Sequence, residues 1–116
     1  MSVNQERYHT FVVLLEQLRS QTTTHQTDAQ QLRQHLLSLQ QFFQQQILPL
    51  AEEKKRELSY RTEMSKQLRL LEIDIMFFQG ARQADTAVDR LKTISDRLTI
   101  IIEYCQAILQ SEAPEK

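Results

Sequence analysis

Residues 84–108, ADTAVDRLKTISDRLTIIIEYCQAI, decide the fold. Within them Ala84, Ala87, Leu91, Ile94, Leu98, Ile101, Cys105 and Ile108 alternate steps of three and four without a break. A helix turns every 3.6 residues, so this spacing lines one seam of a long helix with apolar side chains. A seam sustained over more than three heptads must face another helix. Ile100 and Tyr104 fall off the seam and read as surface contacts.

Reading upstream, Gly80 is the only glycine and suits the end of a preceding helix, where a left-handed residue closes the last turn; a mid-helix place at a close packing point is the alternative. Before it, residues 64–78 carry two apolar stripes. Met64, Leu68, Leu71, Ile75 and Phe78 form one, and Leu70, Ile73 and Phe77 form another nearly opposite. A helix apolar on two sides is buried on two sides. Either it sits centrally in the bundle, which is the favoured placement, or the second stripe meets another chain. Its start is charged: Glu52 with Arg56 and Glu57 with Arg61 have the favourable four-residue spacing, worth about 0.2–0.5 kcal/mol per pair. Pro49 sets the upstream limit. A proline removes a helical hydrogen bond and clashes with the preceding turn, but is welcome in a first turn. An unbroken helix over residues 28–79 would be about 78 Å long, too long for a compact chain of this size. The chain is therefore expected to break at residues 48–50, with the third helix running on to about 79.

The second helix is expected from Asp28, which with Gln31 has capping-box spacing, through the apolar positions Leu32, Leu36, Leu39, Phe43 and Ile47. Gln40, Gln41, Gln44, Gln45 and Gln46 crowd its end and read first as a solvated face, with a polar recognition face as the alternative. The first helix is expected over residues 4–20, with Tyr8, Phe11, Val12, Leu15 and Leu18 on one face. Residues 21–27 contain three successive threonines, poor helix formers, and read as a loop.

The expected fold is thus all-α: one domain over 1–116, an antiparallel bundle of about four helices, elongated if the last two form a long hairpin, with a frayed tail from about 111. Composition agrees. Of 116 residues 41% are hydrophobic and 25% charged, and one glycine and two prolines leave little material for tight sheet turns or a phosphate-cradling loop. A net charge of -1 argues against a dedicated nucleic-acid binder. The single cysteine, Cys105, excludes an intramolecular disulfide and reads as a small core residue. No basic run leads into a long apolar stretch at the N-terminus, so a soluble, cytoplasmic protein is expected.

Catalytic chemistry finds little purchase. The histidines His9, His25 and His35 have no serine or cysteine beside them in a nucleophile motif. One Glu-x-x-His spacing, Glu6 to His9, occurs where a di-metal bundle needs two. No enzyme activity, cofactor or metal is expected. The basic residues of the third helix are interleaved with Glu52, Glu53, Glu57 and Glu63, the pattern of a solvated, salt-bridged face. A helical protein-binding module is what remains.

Three stretches carry a resemblance. SYRTEMSKQLRLLEIDIMFFQGARQ (59–83), QFFQQQILPL (41–50) and RYHTFVVLLEQL (7–18) resemble the small cyanobacterial PatD proteins, the heterocyst frequency control family. The similarity extends over most of the chain and is strongest over 60–82. It implies a non-enzymatic regulator that limits how often filament cells become heterocysts, binds the tubulin-like division protein FtsZ and modulates its polymer assembly. The family supplies no set of binding residues to carry over. Chemistry alone points to the polar face inside the strongest block, Arg61, Glu63, Lys66 and Arg69, with Arg82 behind them, because basic groups steer encounter with the acidic surfaces typical of FtsZ. The competing readings are a homodimeric scaffold joined through Leu70, Ile73 and Phe77, and a small nucleic-acid-associated regulator using the basic third helix.

Overall fold

The computed structural model describes residues 2–24 and 27–110. They form α1 (Val3–Gln21), α2 (Ala29–Phe42) continued by one π-helical turn (Phe43–Ile47), α3 (Glu57–Gly80) and α4 (Ala84–Gln110). Of the described residues 83% are helical, and none is in a strand. His25 and the expected tail from 111 lie outside them.

Each helix packs on its neighbours in chain order, and α1 closes the ring against α4. This is the up-down-up-down arrangement that short connections favour. It measures 54 × 22 × 20 Å, so the elongated form of the bundle is the one adopted. The core is the set of apolar stripes turned inward: Tyr8, Phe11, Leu15 and Leu18 from α1; Leu32, Leu36, Leu39, Phe43 and Ile47 from α2 and its π turn; Met64, Leu68, Leu71 and Ile75 from α3. From α4 come Ile94, Leu98, Ile101, Cys105 and Ile108, joined by Ile102. Phe11 stacks on Phe42 at 5.9 Å between centroids and meets Phe43 in a tilted contact at 5.7 Å, which fixes the level of α1 against α2 and its π turn.

The helix starts follow local chemistry. Ser2 caps α1 in a capping box with Gln5, and the Asp28 carboxylate accepts the Gln31 N–H at 2.8 Å. Pro49 does end a helix, but α3 does not begin beside it. Residues 48–56 form a turn-rich connection, and the first helical residue is Glu57. The Glu52–Arg56 pair therefore lies off any helix, and Arg56 takes the left-handed conformation with φ 68°. Gly80 has no positive φ. The left-handed helix closure expected of it is absent; Ala81 donates its N–H to the Phe78 carbonyl instead.

Two further expectations are corrected. The α3 helix is not central: it packs on α2 and α4 only, and its second stripe faces outward, with Ile73 42% and Phe77 51% exposed. The α4 seam is fully buried only from Ile94: Ala84 is exposed, and Ala87 and Leu91 are half-buried. The reason is length. The α1 and α2 helices are shorter than the α3–α4 hairpin, so its tip has no opposite wall.

Candidate functional site

The most ordered polar chemistry lies at the base of the bundle, where α1 meets the start of α3. Glu57 is fully buried and receives five donors. Its Oε1 accepts the backbone N–H groups of Glu53 (2.9 Å) and Lys54 (3.0 Å). Its Oε2 accepts Asn4 Nδ2 (3.2 Å), the Tyr8 hydroxyl (2.8 Å) and Arg61 Nη2 (2.5 Å). Arg61 is 3% exposed, donates Nε to the Tyr8 hydroxyl at 2.7 Å and Nη1 to the Leu50 carbonyl at 2.7 Å. Burial works against the charge on Glu57, but the Glu53 N–H, the Tyr8 hydroxyl, the Lys54 N–H and Arg61 outweigh it and hold the carboxyl below its ordinary range. Burial also opposes the Arg61 charge, and its contacts with Tyr8 and Glu57 reverse that, so the guanidinium is held more firmly protonated. Burial is the main reason the Tyr8 phenol is pushed well above its usual value. Every member is satisfied, so the cluster pins the 48–56 connection to α1 rather than offering a reactive group.

This placement separates the residues picked from the sequence. Arg61 belongs to the interior and cannot meet a partner. Glu63 and Lys66 form an exposed ion pair at 3.2 Å, a contact of small energetic weight. Arg69 is exposed on the wall of a groove, and Arg82 is exposed in the α3–α4 turn. They do not form one patch.

The groove itself was not anticipated. It runs along the α2–α3 seam as two adjoining hollows of about 540 and 320 Å³ that share Gln40 and Glu72. Its walls carry Gln30, Gln34, Gln44 and Gln79 with Arg33 and Arg69, and its rim the exposed Leu37 and Met76. Part of the glutamine cluster is therefore groove wall, while Gln41 and Gln45 face solvent. Glutamine amides both donate and accept, so such a groove suits a polypeptide with apolar anchors and backbone or amide partners. A signal was available: Gln30 with Gln34, and Gln40 with Gln44, are four-residue pairs beside the buried stripe.

Other chemistry is structural. Cys105 is buried 3.7 Å from the Met64 sulfur, and burial pushes its thiol up to about 12. His35 bonds Gln21 at 2.6 Å on the surface. Among the described residues no cluster of three or more His, Cys, Asp or Glu could hold a metal ion, and no helix is long and apolar enough to cross a membrane.

No protein-family model, curated protein or solved structure matches the chain.

Proposed function

We propose that this chain is a non-enzymatic regulator of heterocyst frequency and cell division that binds FtsZ through the α2–α3 groove and modulates its polymer assembly. The observation that supports this reading is the position of the resemblance. Residues 41–50 and 59–83, two of the three stretches that carry the PatD likeness, supply much of the two groove walls: Phe43, Gln44 and Leu48 on one, Arg69, Glu72 and Met76 on the other. The rim combines exposed apolar side chains with arginines, a pairing suited to an acidic partner segment.

The test is sedimentation of FtsZ with GTP, alone and with this protein. Co-pelleting with a changed polymer yield is expected, and Arg69→Glu combined with Leu37→Asp should abolish it while the helical circular dichroism is kept. No co-pelleting and no change in yield would overturn the reading. Binding that survives the double substitution would move the surface elsewhere.

A further inference from the structure

The outward ridge of α3 borders the groove at Arg69 and Met76, and it is built to meet a copy of itself. Leu70, Ile73, Phe77 and Gly80 follow the three-and-four spacing of a coiled-coil seam on the side of α3 opposite its core stripe. Ile73 and Phe77 are 42% and 51% exposed, and Arg90 covers one face of the Phe77 ring at 4.6 Å while leaving the rest open. A side chain added at Gly80 would meet nothing within 4 Å, so a second helix can come close there. Elsewhere exposed apolar residues such as Val13 on α1 and Ile100 on α4 are singly placed, which is ordinary; a run at seam spacing is not.

We propose that two copies of this chain pair through α3, antiparallel, about a two-fold axis at Ile73. The charges along the ridge select this arrangement. With the axis at residue 73, Ile73 lies against its own copy, Leu70 lies level with the partner's Met76, and Phe77 lies level with the partner's Arg69. Lys66 reaches the C-terminal end of the partner's α3, whose last turn carries no cation of its own. A cation there complements the helix dipole. Glu63 falls at the level of the partner's Arg82, and two-fold symmetry makes that ion pair twice. The parallel alternative sets Lys66 against Lys66 and Arg82 against Arg82, which repel. The ridge from Glu63 to Arg82 is about 28 Å long and one helix broad. That footprint is at the small end of specific interfaces, below about 1,200 Å² in total, so the pair is expected to exchange with monomer in the micromolar range. The inference does not rest on FtsZ binding: Leu70, Ile73 and Phe77 line neither hollow, and mass in solution is read on this chain alone.

The test is mass in solution by light scattering or sedimentation equilibrium from about 1 to 500 µM. Wild type should rise from the 13.7 kDa of one chain to twice that mass. Ile73→Glu should stay monomeric throughout, with unchanged helicity. Glu63→Arg and Arg82→Glu should each weaken pairing at least several-fold, and the two together should restore it. Ile73→Cys should form an intermolecular disulfide on mild oxidation, because residue 73 faces itself across the axis; Leu58→Cys, exposed on the same helix, should not. The buried Cys105 does not interfere. Monomer at 500 µM overturns the proposal. So does a dimer in which the charge exchange gives no rescue and Ile73→Cys gives no crosslink, since that dimer would use another face.

Discussion

Glu57→Gln should be among the most damaging single changes this chain can suffer. The carboxylate accepts five hydrogen bonds, two on one oxygen from backbone N–H groups and three on the other from Asn4, Tyr8 and Arg61. A glutamine keeps one acceptor oxygen. Whichever way the amide turns, its NH₂ meets at least two donors, and Arg61 stays buried without a counter-charge. Breaking one partner of a buried ion pair costs about 3–5 kcal/mol. Folded domains are stable by about 5–15 kcal/mol, so roughly a fifth or more of the total is at stake. For a chain of this size the melting temperature should fall by about 10–20 °C. Urea unfolding followed by circular dichroism at pH 7 reads the free energy directly. Glu57→Gln/Arg61→Met, which removes both charges, should cost less than the sum of the single changes by about 2 kcal/mol. Lys66→Gln, on the exposed pair with Glu63, should stay within about 0.5 kcal/mol of wild type. A Glu57→Gln loss below about 1 kcal/mol, or strict additivity in the cycle, would refute the view of this cluster as one buried unit.

The acid limb carries the same signature. Because the folded-state carboxyl of Glu57 sits below its ordinary 4.5, its contribution is complete above that pH and is lost as pH falls through the folded value. The urea midpoint of wild type should drop steeply below pH 4.5, and that of Glu57→Gln should fall less; parallel curves would sink the idea. Arg56→Gly should raise stability by about 0.5–1 kcal/mol by relieving the left-handed backbone at φ 68°, whereas Arg56→Ala should not; equal effects would locate the gain elsewhere. Cys105, fully buried with its thiol pushed up to about 12, should resist thiol reagents at pH 8 until the chain unfolds. Labelling within minutes in the absence of denaturant would show that the α3–α4 contact opens readily.

Periodicity made the bundle legible wherever the signal was purely apolar. The stripes led by Tyr8, Leu32, Met64 and Ile94 all turned inward. It failed where polar side chains occupy core positions. Glu57 and Arg61 extend the Met64–Leu68–Leu71 stripe backward by one helical step each, and their four-residue spacing was visible as a pair, but a pattern of apolar residues gives no reason to bury a charge. The reason lies in α1, whose Tyr8 and Asn4 arrive from about fifty residues away to complete the hydrogen bonds. Asp74 is a second case, buried by its ion pair with Arg97 on α4. The charged segment before Glu57 looked helical because its residues favour helices. The backbone bonds that hold it, the Glu53 and Lys54 N–H groups on Glu57, reward a turn instead. The groove stayed hidden for a related reason: a gap between helices has no residue of its own, and glutamines read as solvated until the opposite wall is in place.

The π turn at Phe43–Ile47 gives this chain a place where its length is negotiable. Such a turn holds one residue more than an α-helical turn, here closed by the Leu48 N–H on the Phe43 carbonyl at 2.9 Å. The surplus is drawn from Gln44, Gln45 and Gln46, none of them in the core. Removing one of the three would leave a plain α-helical turn with Phe43 and the following isoleucine three apart, still on one face. A single-residue deletion anywhere along the α4 seam would instead rotate every later core position by about 100°. Sequences descended from a common bundle can therefore differ by one residue here and keep the same fold, and an alignment gap beside Pro49 would record a change of helical pitch rather than a change of loop.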